Sequence, residues 1–157
     1  MTFAELKDKL KDLTESFFTE FSQTAVKWSR EVGPSPEGPL VLLIMGDIIR
    51  PGPMRRTING SLVDKYYCQT TLKVDLHTNE RTAADHLAAF FNYLNSPQID
   101  EWCYVNGVDI RTGNIQDLAD KRAMTELGIS FVQIAHMDRG HFTEVDLTQE
   151  SNKNKPG

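Results

Sequence analysis

The sequence predicts an α+β fold: a mainly antiparallel sheet with a long N-terminal helix and a second helix packed on one face. Three patterns predict it. An apolar stripe at steps of three and four opens the chain, a strict alternation runs from Leu62 to Leu76, and a second strand-like run covers residues 126–137. A helix, two long strands, a second helix and further strands, in that order, make an open sheet covered on one side.

The opening helix starts at a capping box, Thr2 with Glu5 three residues on. Phe3, Leu6, Leu10, Leu13, Phe17, Phe21, Ala25 and Trp28 then form one stripe within residues 1–32. Unbroken, this predicts a helix of up to about 29 residues, roughly 43 Å long. Lys7, Lys9 and Lys11 are balanced by Asp8, Asp12 and Glu15, which argues against a cationic lipid-binding face. GPSPEGP, residues 33–39, predicts a stiff connector. LVLLIMGDII reads as a strand buried on both faces. RPGPMRRTINGS, residues 50–61, reads as an irregular basic loop with Asn59-Gly60 as a turn.

In the alternating strand, Tyr66, Cys68, Thr70, Leu72, Val74 and Leu76 share one face, and Tyr67, Gln69, Thr71, Lys73 and Asp75 the other. ERTAADHLAAFFNYLNS predicts a helix with Ala83, Leu87, Phe90, Phe91 and Leu94 inward, stopped before Pro97. PQIDEWCYVNG fits a helical turn or a strand equally well. VDIR reads as a short strand and TGNIQDLADKR as a polar link. ELGISFVQIAHM reads as a long strand, and His141–Leu147 as the last one. A single domain over 1–148 is expected, its sheet and helix core in 40–148, with a flexible tail at 149–157.

With 157 residues, 39% of them hydrophobic, the chain suits one buried core. Its net charge of -5 argues against broad nucleic-acid affinity. Cys68 and Cys103 lack metal-ligand spacing and suit buried thiols in a reducing compartment, so a chain made in the cytoplasm is expected. The start, MTFAELKDKL, lacks the apolar core of a signal peptide. The longest purely apolar run, Leu40–Met45, is too short to span a membrane.

The densest candidate chemistry is Asp75-Leu76-His77-Thr78-Asn79-Glu80-Arg81, followed by Asp85 and His86. In a strand, Asp75 and His77 point the same way and suit a metal pair. A third ligand must then come from Glu80, Asp85 or His86, yet the helix that follows holds no HxxxH or HxxE pair. Thr78-Asn79 instead reads as a helix N-cap, with Glu80 complementing the helix dipole. His136 and His141 flank MDRG, but no nucleophile elbow is near, and no phosphate-binding glycine motif occurs. The residues thus point to a polar strand-to-helix joint, with no catalytic residue, no metal ligand and no cofactor.

YYCQTTLKVDLHT running into ERTAADHLAAFF, then VNGVDIRTGNIQDL and MTELGISFVQIAHMDR, resembles the tail-terminator (neck) proteins of long-tailed bacteriophages. Tyr66, Gln69, Val74, Asp75, Asp117-Leu118, Ile129 and Phe131 carry the resemblance, which covers residues 40 to 147. It implies a structural virion protein forming a ring, commonly a hexamer, that caps the tail tube and joins it to the head. Its partners would be copies of itself, the tail-tube protein and the head–tail connector proteins. DNA would pass through without specific binding. On that reading, the face bearing Tyr67, Gln69, Thr71 and Lys73 is expected to meet a neighbour or line the lumen. The loop bearing Arg50, Arg55 and Arg56 is expected to reach the tail tube. Another connector or head-completion ring component is the nearest alternative. A small metal-dependent hydrolase using Asp75 and His77 is the more distant one.

Overall fold

The structure, a computed structural model, describes residues 1–32 and 38–136, without the side chains of Arg56, Ile58 and His136. The expected last strand at 141–147, the tail at 149–157 and most of the 33–39 connector lie outside the described residues. The chain divides into two compact units. One comprises residues 1–49 and 68–131, and the other residues 50–67 with 132–157.

Helix α1 (Phe3–Ser22) opens the first unit with both capping-box bonds formed. Thr2 N–H donates to the Glu5 carboxylate at 2.7 Å, and Glu5 N–H to the Thr2 hydroxyl at 3.1 Å. Leu6, Leu10, Leu13 and Phe18 are buried. The helix stops well short of the expected 32. Gln23 takes the left-handed conformation, φ 53°, and its N–H and that of Thr24 return to the Thr19 and Phe18 carbonyls. Ser22 Oγ donates to Phe18 O as well, at 3.3 Å. Ser22-Gln23-Thr24 thus satisfies the last turn with local hydroxyls and a left-handed cap.

Ala25–Trp28 is consequently a strand, β1, where the apolar stripe predicted more helix. The stripe took Ala25 and Trp28, three apart, but the buried residue is Val26, two from Trp28, which is the spacing of a strand. β1 pairs in parallel with β2 (Leu40–Met45), Val26 against Val41 and Trp28 against Leu43. This makes the sheet mixed rather than mainly antiparallel. A single 3₁₀ turn, Ser29–Glu31, follows β1.

The remaining elements are β3 (Met54–Ile58), β4 (Ser61–His77), α2 (Ala83–Leu94), α3 (Pro97–Asn106), β5 (Val108–Arg111), β6 (Ile115–Ala119) and β7 (Arg122–His136). The sheet runs β1-β2-β4-β7-β5, with β3 also on β4 and β6 also on β7. The ambiguous PQIDEWCYVNG is helical. Pro97 sits in its first turn, Ser96 caps it by accepting from Ile99 N–H, and Gly107 closes it at φ 66°. The expected polar link contains β6, paired antiparallel with β7 around a register shift between Asp117 and Ala119.

Register sorts the first unit's sheet into two faces. Val41 opposes Leu76, Leu43 opposes Val74, and Met45 opposes Leu72. Val108 opposes Phe131, and Ile110 opposes Ile129, on that same face. The Phe3 ring meets Phe131 edge-on at 5.9 Å, which puts α1 over this face. Phe18 and Phe90, 5.0 Å apart, join α1 to α2, and both are fully buried.

Phe90→Ala removes the ring that links the two helices and should cost about 3–5 kcal/mol. Gln23→Gly relieves a left-handed non-glycine residue and should add up to about 1 kcal/mol. Urea unfolding midpoints measure both, and the two shifts should be opposite in sign. The Thr2 N–H, and after it the Thr2 hydroxyl, hold the Glu5 carboxyl below its ordinary value. A depressed carboxyl stabilises the fold at neutral pH and loses that contribution as pH falls through its folded value. Glu5→Gln should therefore flatten the acid side of the stability–pH curve.

Candidate functional site

The opposite face of the first unit's sheet is the candidate site; it sets the polar side chains of β4, β5 and β6 beside Leu40, Leu42 and Ile44 of β2. Gln69 is exposed, Thr71 and Lys73 are half-buried, and Asp109, Arg111 and Gln116 are exposed. The alternation of β4 put Gln69, Thr71 and Lys73 here, as expected. Tyr67, on the same strand and 45% exposed, belongs to the second unit. Thr71 is less available than expected. Gly46 N–H donates to the Thr71 carbonyl at 2.9 Å, and a side chain at Gly46 would strike Thr71 Oγ1. Lys73 lines an open cavity of about 410 Å³ with Asn114, Gln116, Met124 and Glu126.

Asp75 is the one carboxylate buried on this face, its side chain 8% exposed. Arg122 grips it in a fork: Nε to Oδ1 at 3.1 Å and the terminal amino group to Oδ2 at 3.0 Å. The hydrogen bond from Arg122, and then the Asp75 charge, push the guanidinium above its ordinary pKa. His77 Nε2 lies 3.3 Å from Asp75 Oδ1, near enough for attraction but not aligned for a hydrogen bond. Both carboxylate oxygens are thus committed to arginine. Among the described residues no three of His, Cys, Asp and Glu converge to hold a metal ion.

The joint after β4 differs from the expected N-cap. Thr82, not Thr78 or Asn79, occupies the cap of α2, and its side chain makes no cap bond to the backbone. Thr78 ties the joint to the β6–β7 turn instead, donating its N–H to Lys121 O at 2.8 Å. Arg81 pairs with Asp120 across the same turn at 2.9 Å. His86 sits beside Thr82, Nε2 to Oγ1 3.2 Å, and edge-on to the Phe21 ring. Neither Glu80 nor Asp85 meets Asp75. Cys68 is buried, and burial first, then Asp109 and Asp100, raise the Cys103 thiol, which disfavours the reactive thiolate.

In the second unit the expected irregular loop is mostly a hairpin. β3 pairs antiparallel with β4 from Met54–Lys65 to Ile58–Ser61, turning at Asn59 and Gly60. Their φ values of 52° and 80° suit a type I′ turn, whose twist matches the strands. Arg55 Nε bonds Asp64 on the facing strand at 2.9 Å, while its side chain stays 57% exposed. Arg50 stacks on the Tyr66 ring at 3.4 Å and donates to Gln133 at 2.8 Å. The Arg56 side chain lies outside the description.

Two features escaped sequence reasoning. Arg122 stands 47 residues from Asp75, inside a segment that read as a link. The other is an open groove of about 810 Å³ between α1, α2 and α3. Asp12, Ser16 and Glu20, spaced four apart on α1, form one wall, and α3 adds Glu101, Trp102 and Val105. Burial, and then the Glu20 charge, raise the Tyr93 hydroxyl at its edge. The spacing of Asp12 and Glu20 was a visible signal, but only a helical α3 gives it a second wall.

No described helix is long and apolar enough to cross a membrane. In comparisons with known proteins, no family model matches the chain, and no curated protein matches it.

Arg122→Met should destabilise the fold by about 1–3 kcal/mol, because it strands a nearly buried carboxylate. Adding Asp75→Asn should recover part of that loss. Chemical denaturation of the two variants measures the recovery, which would be absent if the pair contributed nothing.

Proposed function

We propose that the chain is a tail-terminator subunit of a long-tailed bacteriophage, closing into a ring that caps the tail tube and joins it to the head. One observation carries the proposal beyond the resemblance: the first unit's sheet packs helices on one face, while the other leaves Gln69, Thr71, Lys73, Asp109 and Arg111 accessible beside the part-exposed Ile44. Two ion pairs lie on that open face, Asp75 with Arg122, and Asp109 near Arg111 at 4.0 Å. Such a surface suits recognition by another protein. A ring needs a heterologous contact, in which two different surfaces of one subunit type meet. Gln69 and Lys73, and along the same strand Tyr67, supply one of the two.

In this reading the protein is not an enzyme, and it resides in the virion at the tail or neck. A second reading, another connector or head-completion ring component, draws on the same open face. The hydrolase reading is disfavoured by the arginine fork, since a metal at Asp75 would compete with the Arg122 guanidinium for the same carboxylate.

Light scattering on the eluted protein should show a ring-sized oligomer, alone or upon addition of tail tubes, and tubes grown in its presence should stop at capped ends. Tyr67→Glu with Gln69→Glu should weaken assembly while the circular dichroism stays unchanged. A protein that neither self-associates nor caps tubes sinks the proposal. Tubes capped normally by the double variant would move the interface elsewhere. Imaging the protein in particles separates a terminator from a connector. Stoichiometric metal lost on Asp75→Ala with His77→Ala would instead favour the hydrolase.

A further inference from the structure

The helix groove and the hairpin carry opposite charge. Asp12, Glu20 and Glu101 line the groove with no lysine or arginine among its lining residues, and Tyr93, Trp102 and Val105 supply its apolar surface. The segment 50–67 holds Arg50, Arg55, Arg56 and Lys65 against Asp64 alone, four minus one or +3, in a chain of net -5. Its strand β3 also exposes Met54, 50% accessible, on the face opposite the Arg55 guanidinium that Asp64 holds in place. Methionine and arginine against tryptophan, tyrosine and carboxylates is the chemistry of an interface centre: thioether on aromatic, guanidinium on carboxylate. A preset guanidinium also loses less freedom on docking.

We infer that the β3 hairpin of one copy docks between the walls of the acidic α1–α3 groove of the next, Met54 against Trp102 on α3 and Arg55 against Glu20 on α1. This rests on the ring reading and deepens it, assigning the hairpin to a neighbouring copy rather than to the tail tube. Groove and hairpin are different surfaces, so the contact is head-to-tail and can propagate around a ring. Charge pairing makes it weaken with added salt.

Two variants test it. Glu20→Arg with Glu101→Arg reverses the groove, and Arg55→Glu with Arg56→Glu reverses the hairpin. Each alone sets like charge against like and should weaken self-association at least about tenfold, seen by light scattering. An equimolar mixture should assemble again, because copies then alternate and every groove meets a hairpin of opposite charge. Circular dichroism checks that both variants fold. Unchanged self-association in either variant, or a mixture that fails to recover, overturns the contact. A wild-type chain that stays monomeric also overturns it, whereas the ring reading then turns on tube capping alone. Normal oligomers insensitive to both reversals remove the groove contact and leave the ring reading standing.

Discussion

β4 is a single strand of 17 residues that takes β2 along 72–77, β3 along 61–65, and β7 on its other edge. Because its side chains alternate, a slip of one residue would drive Leu72, Val74 and Leu76 out of the core and Lys73 into it. The hydrophobic alternation is one restraint on that register. The Asp75–Arg122 fork between β4 and β7 is another. In a slipped sheet the two groups would part, leaving a carboxylate buried without a partner, at a cost of roughly several kcal/mol. The two faces of the sheet, and so the division between core and open surface, follow from this one alignment.

Elements dominated by local signals were legible in the sequence. The capping box placed the start of α1, alternation placed β4, and the apolar stripe of Ala83, Leu87, Phe90 and Leu94 placed α2, with Phe91 only half-buried. Asn59-Gly60 marked the hairpin turn but not its first strand, because Met54-Arg55-Arg56 has no apolar alternation for a strand pattern to catch. β1 was hidden by its own composition, since Ala25 and Trp28 extend a helical stripe and only the left-handed Gln23 separates the two. β6 is almost wholly exposed although it carries Ile115 and Leu118, so pairing with β7 rather than burial makes it a strand. Of the open face, Gln69, Thr71 and Lys73 were legible from period two alone. Arg122 was not, because no sequence pattern joins two charges across a sheet.

The open face also bears on whether it meets a neighbour or a channel. Register places Lys27, Lys73, Arg111 and Arg122 on it, with Asp75, Asp109 and Glu126, four positive charges against three negative. A channel wall that lets DNA slide needs an excess of negative charge to repel phosphate. This face has none. Mixed charge around exposed polar side chains instead suits a surface that must recognise one partner and reject others. The acidic excess of the chain lies elsewhere, in part along α1 and α3, where Asp12, Glu20 and Glu101 gather. Between lumen and neighbour, the charge pattern therefore favours the neighbour for the open sheet face.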